Sequence, residues 1–578
     1  MMPNPRYLRA SLIGCLVLLQ TAVLYGQIDT GAIIAGGTIF KPVVAENGMV
    51  STAEALATQV GLDVLKDGGN AVDAGVAVGM ALAVTLPRAG NIGGGGFMII
   101  HDAKSGETVA LDFREKAPKA AFRDMFLDEE GNADPKKSRF SYLASGVPGT
   151  VRGLALAAEK WGSKDWDELV EPAIKLAEDG FPVYTDLASS LKTTVERKRF
   201  NKEAYQTFTR RNGKLFKAGD TLKQPDLAKS LKQIAKDPDA FYTGDIAEKI
   251  AKNMDKNGGM ITLDDLASYQ PAIRKPITGD YRGYTIASMP PPSSGGVHIV
   301  QMLNILEPFP LGEWGHNTAK TVHHIVETMR LAYADRSKHL GDSDFVDVPI
   351  EGLTSVAYAD DLRSKINPLK ATRSTEIGPG APQGYESDET THFSVIDKEG
   401  NAISCTYTLN FSYGSGIMIP GTGILMNNEM DDFSAKPGVP NAYGLIGGEF
   451  NAVEPGKRML SSMSPSIVLK DSEVFLATGS PGGSRIITAT MQVIMNVIDH
   501  QMNPAEADSA VRFHHQWYPD MLWVERGFPG DSARILGEMG HKVETRTTIG
   551  ATQTILRSDG VLYGSSDPRR SSGAVMGY

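Results

Sequence analysis

The feature that most narrows the fold of this 578-residue chain is a strand pair beyond its middle. Thr391 to Ile396 and Ala402 to Leu409 are rich in β-branched and aromatic residues, and they flank Asp397-Lys398-Glu399-Gly400-Asn401, a five-residue turn with a glycine available for positive φ. The pattern predicts an antiparallel hairpin. If Ile396 faces Ala402, the register sets Thr390 opposite Thr408, with Asn410 two residues further on the same face. Three polar side chains gather at one end.

The hairpin follows a change of texture. Residues 150–270 read as helical and charged, for example Asp167 to Glu178 closed by Gly180, whereas Thr, Ser, Gly, Pro and acidic residues dominate 372–390 as in a surface linker. Earlier, Ser51 to Leu86 has a helical pattern broken at Gly68-Gly69, and its apolar run Ala74 to Leu86 is too short to span a membrane. A buried helix is expected there. Glycine is abundant, 61 of 578 residues, and clusters at Gly90-Asn91-Ile92-Gly93-Gly94-Gly95-Gly96 before the strand-like Phe97-Met98-Ile99-Ile100. A phosphate cradle needs strand, glycine loop, then helix; this order is the reverse, so dinucleotide binding is not expected.

Charge excludes another class. Lys and Arg number 58 against 68 acidic residues, a net charge of −10, which gives no electrostatic reason to bind nucleic acid. At the N-terminus, Arg6 and Arg9 precede an apolar run from Ala10 to Tyr25 and then Gly26, the layout of a secretory signal occupying residues 1–26. An uncleaved membrane anchor is the alternative; Leu12-Ile13-Gly14-Cys15 also resembles a lipoprotein cleavage box but comes too early, because apolar residues continue beyond it. With Cys15 removed, Cys405 is the one cysteine left, so no internal disulfide is possible. Export to a periplasm, or secretion, is the expectation.

A threonine hydroxyl is a poor nucleophile without an adjacent base, and one solution is the residue's own α-amine, whose unperturbed pKa is about 7.7–8.0. Thr390 is internal, so that solution requires a cut before it. The segment Glu389-Thr390-Thr391-His392-Phe393-Ser394-Val395, followed by Thr406-Tyr407-Thr408-Leu409-Asn410, closely resembles the γ-glutamyltransferases, members of the N-terminal nucleophile hydrolases. Further stretches resemble the same family in order: Lys66 to Ala71, Ala89 to Met98, Leu111 to Glu115, Pro290 to Gly296, Asn427 to Gly438, Ser461 to Pro465 and Gly479 to Arg485. The resemblance runs from about Pro42 to Tyr578.

It implies an α+β fold, a four-layer αββα sandwich built jointly by two subunits of one precursor. The precursor would cut itself between Glu389 and Thr390 into a large subunit, 27–389, and a small catalytic subunit, 390–578. Thr390 would then take the γ-glutamyl group from glutathione or another γ-glutamyl compound and pass it to water, an amino acid or a peptide. By the same resemblance Thr408 orients the Thr390 hydroxyl, and the N–H groups of Gly482 and Gly483 form an oxyanion hole. Arg114, Ser461 and Ser462 bind the substrate α-carboxylate. Glu429 and Asp432, supported by Asn410, accept from its α-ammonium. Tyr443, in the loop Pro437 to Gly448, belongs to a lid. No cofactor or metal is required.

Each residue taken alone reads more blandly. Thr390 would be a strand threonine, Arg114 a surface or ion-pair residue, Glu429 and Asp432 an acidic turn, Ser461 and Ser462 a turn cap, and Gly482-Gly483 a hinge. His323-His324 and His514-His515 lack HExxH spacing and read as packing, and Asp342, Asp344 and Asp347 as a solvated loop. A serine hydrolase fails for want of a GxSxG elbow, and Ser189 to Lys192 lacks the partners of its SxxK pattern. The remaining rivals are a cephalosporin or glutaryl acylase, an enzyme of poly-γ-glutamate, and an inactive γ-glutamyl-binding homologue. The acidic pair at 429 and 432 argues against an acylase, whose substrate has no α-ammonium.

Overall fold

The computed structural model describes residues 39–377, 390–439, 441–442 and 444–578. Strand Thr391–Asp397 pairs antiparallel with Ala402–Thr408, with Ile396 opposite Ala402 and Thr391 opposite Tyr407. The expected register holds. Gly400 takes a φ of 93° in the turn, where a side chain would be strained.

The hairpin lies inside a sheet of seven antiparallel strands. Gly48–Thr52 pairs with its first strand and Gly95–Asp102 with its second; Ala574–Gly577 extends one edge, Glu107–Asp112 and Ala272–Arg274 the other. Alternation then decides what each face does. Phe393, Val395, Ile403, Cys405 and Tyr407 pack outward with the helices Ala55–Lys66 and Ala71–Thr85, while Ile396 and Ala402 face inward. Every residue of Ala71–Thr85 is buried, as its apolar run requires, and Asn70 with Asp73 closes a capping box at its start.

A second seven-stranded sheet stacks on the inner face. Its order is Val43–Ala45, Val561–Ser566, Gln553–Ser558, Glu473–Thr478, Ser466–Lys470, Tyr284–Ser288 and Ile277–Tyr281. Met49, Phe97, Ile99 and Ile396 of one sheet meet Ile467, Ala477, Ile555 and Leu562 of the other. Helices Gly295–Leu306, Ala319–His339 and Ile486–Ile498 cover its outer face through Ile286, Val468, Leu476, Ile299, Met329 and Met491. The result is the expected αββα sandwich.

Toward one end the space between the sheets is polar. Ser404 Oγ donates to Thr478 O at 2.9 Å, Ser394 Oγ donates to Gln553 O at 3.0 Å, and His392 shares hydrogen bonds with Thr406 Oγ1 at 2.8 Å and Ser394 Oγ at 3.1 Å. These pairings offset the desolvation of buried hydroxyls. A Cβ on Gly479 would lie 2.4 Å from the His392 ring, so glycine is needed where the sheets meet.

Residues Pro42–Tyr578 form one compact unit. Both sheets interleave strands from before and after position 390, so that position is no domain boundary in space. Two expectations fail. The helical reading from Ser51 starts too early: Gly48–Thr52 is a fully buried strand, and the helix begins at Ala55, capped by the Glu54 carboxylate. Asp342 is no solvated residue either. It is buried and accepts from the Arg458 and Asp344 N–H groups at 2.8 and 3.1 Å, and Asp344 pairs with Arg274, partners too distant in sequence to foresee. The 1–26 segment and Glu389 lie outside the described residues. Among the described residues no helix is long and apolar enough to cross a membrane.

Candidate active site

The same end of both sheets collects the site. Thr390 precedes the strand that opens the hairpin and Thr408 closes the hairpin; Arg114 follows Glu107–Asp112; Ser461 and Ser462 precede Ser466–Lys470; Gly482 and Gly483 follow Glu473–Thr478. A narrow cleft opens there. It is lined by Thr390, Thr408, Asn410, Arg114, Glu429, Asp432, Ser461, Ser462 and Gly483, and also by Arg336.

Local hydrogen bonds explain the placement. Thr390 is 5% exposed, and its Oγ1 has no hydrogen-bond partner among the described residues. Thr408 Oγ1 accepts from Asn410 N at 2.7 Å. Asn91 holds Thr408 from behind, its Nδ2 donating to Thr408 O at 2.8 Å and its Oδ1 accepting from Gly94 N at 2.9 Å. A Cβ on Gly94 would stand 2.1 Å from Thr408 O. The glycine loop thus lets two backbones approach closely.

Asn427 ties the acidic turn to that loop, its Nδ2 donating to Gly93 O and Gly146 O and its Oδ1 accepting from Glu429 N at 3.1 Å. Asn410 Nδ2 reaches Asn428 O at 2.9 Å, so it supports Glu429 through the backbone. Gly483, at φ 55°, lines the cleft, whereas Gly482, at φ 132°, lines a neighbouring cleft with Gly550 and Arg569. Neither glycine N–H has an acceptor among the described residues. Two adjacent free amides at the end of a strand suit an incipient oxyanion. Tyr443 lies outside the described residues.

A gamma-glutamyltranspeptidase family model matches residues 57–577. The chain belongs to that family. It is 56% identical to the glutathione hydrolase proenzyme of Escherichia coli over 542 residues, covering 93% of each chain, and 48% identical to that of a Pseudomonas species, covering 93% of this chain and 95% of the other. Among solved structures, cephalosporin acylase from Bacillus halodurans is 31% identical with a TM-score of 0.83, covering 96% of this chain and 99% of that one. The gamma-glutamyltranspeptidase of Helicobacter pylori is 47% identical with a TM-score of 0.56, covering 60% of this chain and 97% of that chain.

One geometric feature departs from the sequence expectation for a gamma-glutamyltranspeptidase family member. The sequence reading sets Arg114 against a substrate's α-carboxylate and the acidic pair against its α-ammonium, yet here they bind each other: Arg114 Nη1 donates to Glu429 Oε1 and Nη2 to Asp432 Oδ2, while Nε meets Met459 O at 3.4 Å. A third carboxylate, Glu115, lies 3.7 Å from Arg114 Nη1 and has no hydrogen-bond partner at either oxygen. Burial raises all three acids, Asp432 to about 6, Glu115 to about 7 and Glu429 well above the usual range, with Arg114 opposing the shift in each. Burial would lower Arg114, but the three carboxylates outweigh it and hold the guanidinium firmly charged.

Sequence reasoning missed Arg336 and Glu115 as members of the site. Arg336 sits mid-chain on the helix Ala319–His339 with no motif around it; only the fold brings it to the cleft. His323, Glu327 and His541 approach within 4.8 Å, but His323 Nδ1 shares a 2.8 Å hydrogen bond with His541 Nε2, His323 Nε2 meets Asn367 O at 2.7 Å, and Glu327 engages Arg330 and Thr372 N.

Proposed function

We propose that the chain is an exported γ-glutamyltransferase with glutathione hydrolase activity, made as a precursor that cuts itself between Glu389 and Thr390. In the cut, Thr390 Oγ1 attacks the Glu389 carbonyl carbon, the acyl group moves from nitrogen to oxygen, and water hydrolyses the ester. The products are residues 27–389, ending in a carboxylate, and 390–578, beginning with a free amine. They stay together because each sheet contains strands of both.

In the mature site the Thr390 amine takes the proton of its own hydroxyl as Oγ1 attacks the γ-carbonyl of a γ-glutamyl amide. The oxyanion receives hydrogen bonds from Gly482 and Gly483, and the leaving amine departs with the proton, leaving a γ-glutamyl ester on Thr390. Water resolves the ester to glutamate; an amino acid or peptide amine resolves it to a new γ-glutamyl amide. Thr408 orients the nucleophile. The substrate α-ammonium takes the Glu429 and Asp432 carboxylates from Arg114, which frees part of that fork for the α-carboxylate, alongside Ser461 and Ser462. Tyr443 gates the pocket.

The observation that carries this reading is the convergence of an unengaged Thr390 hydroxyl, two acceptor-free glycine amides and a buried Arg–Glu–Asp cluster at one end of the sandwich. A cephalosporin or glutaryl acylase would have no cation to place against Glu429 and Asp432, and that pair favours a γ-glutamyl donor. Release of p-nitroaniline from γ-glutamyl-p-nitroanilide, accelerated by glycylglycine, is the test. Turnover by the wild type and none by Thr390→Ala supports it; equal turnover of glutaryl-p-nitroanilide and the γ-glutamyl donor contradicts it.

A further inference from the structure

Gly482 and Gly483 take φ values of 132° and 55°, and with no side chain to bias them their amides need an outside restraint to keep one direction. The restraint falls on the next residue. Ser484 is buried and held on two sides: its carbonyl accepts from the Tyr333 hydroxyl, and its Oγ donates to Gln516 Oε1 at 2.6 Å. Tyr333 belongs to the helix Ala319–His339, and Gln516 lies between the strands Phe513–His514 and Leu522–Glu525.

The surroundings of Gln516 fix its amide in one orientation. The Tyr518 carbonyl can only accept, which turns Nε2 toward it at 3.1 Å and leaves Oε1 to accept from Ser484 and from His514 Nε2, the latter at 3.0 Å. His514 is a neutral donor there, because burial pushes its pKa down to about 3. The amide nitrogen also faces the lid loop: a Cβ on Gly444, at φ 70°, would stand 3.1 Å from Gln516 Nε2. Around that glycine, Ala442, Leu445 and Ile446 join Trp517 and Tyr518 in one apolar cluster, and Leu445 also lines the cleft. One side chain therefore stands between the lid loop and the turn that carries the two glycine amides.

We propose that Gln516 is a positioning residue for acyl transfer, coupling the lid loop at Gly444 to the Gly482 and Gly483 amides through Ser484. The inference rests on the γ-glutamyl reading above, in which those amides receive the oxyanion. Gln516 touches no reacting atom. It sets where the amides point while the lid is seated, so its effect falls on the transition state and on kcat rather than on donor binding.

The test is steady-state kinetics of cleaved protein on γ-glutamyl-p-nitroanilide. Gln516→Leu, which keeps the apolar stem and removes the amide, should lower kcat roughly 10- to 100-fold with KM within about threefold of wild type. Ser484→Ala should lower kcat as well, and the pair of substitutions should lie within about threefold of the lower single variant, because both remove one bond. Gly444→Ala crowds Gln516 Nε2 from the lid side; it should cost about 3- to 10-fold in kcat alone and less than about twofold when added to Gln516→Leu. An unchanged kcat in Gln516→Leu, a loss confined to KM, or losses that multiply independently overturns the proposal. If Gln516→Leu stays uncut, Ser484→Ala combined with Gly444→Ala decides: losses that fail to multiply support the coupling, and losses that multiply overturn it. A wild type that does not turn over the donor would refute the γ-glutamyl reading itself, an outcome distinct from all of these.

Discussion

Arg114 and Glu429, 315 positions apart in sequence, form a fully buried ion pair at the floor of the cleft. The pair joins the two halves of the chain, because Arg114 precedes position 390 and Glu429 follows it. Desolvating two such charges is offset only by close geometry and additional hydrogen bonds, which Asp432 and the Met459 carbonyl supply. The pair is therefore a clamp between segments, and on the proposed reading it is also a receptor whose acids hold the guanidinium until a zwitterionic substrate divides them.

Arg114→Lys should keep the charge and lose the fork, raising KM for a γ-glutamyl donor by roughly 10- to 100-fold with a smaller change in kcat. Arg114→Ala should also destabilise the protein, by about 3–5 kcal/mol, because it leaves Glu429 and Asp432 buried without a cation. Steady-state kinetics and thermal unfolding check the two halves. A wild-type KM in Arg114→Lys would contradict the receptor role.

Glu115 offers a pH test that does not involve turnover. Burial raises its pKa from the ordinary 4.5 to about 7, so it favours the folded state below about pH 4.5, and that contribution is lost as pH rises through about 7. Glu115→Gln removes the charge that becomes costly. The variant should melt about 1–3 °C above wild type at pH 8 and no higher than wild type near pH 4.5. A difference that does not grow with pH would contradict the assignment.

Gly94→Ala probes the close approach behind Thr408. The added methyl would meet the Thr408 carbonyl oxygen, a backbone atom that cannot rotate away, so overpacking of about 1–3 kcal/mol and a shift of the hairpin end are expected. Processing should slow visibly on denaturing electrophoresis. Gly352→Ala, whose Cβ would meet nothing within 4 Å, should process normally.

The hairpin and its register were legible because strand period and turn length are local properties. The buried helix Ala71–Thr85 was legible for the same reason, its apolar run lacking any polar face. Sheet order was not, since it depends on pairings such as Gly48–Thr52 with Thr391–Asp397 that join segments far apart in sequence. The residue types of the cleft came from resemblance, but their mutual bonding did not. That Arg114 would be tied to Glu429 and Asp432, or that Arg336 would reach Ser462 from a helix with no motif, follows from tertiary packing alone.

The whole account depends on Thr390 becoming a chain terminus. Intact mass of the purified wild type under denaturing conditions, beside Thr390→Ala, tests this most directly. The prediction is two species for the wild type, one with the mass of residues 390–578, and a single unbroken species for Thr390→Ala. A fully active wild type with one mass spanning Glu389 and Thr390, or a Thr390→Ala variant cut at the same bond, would contradict it.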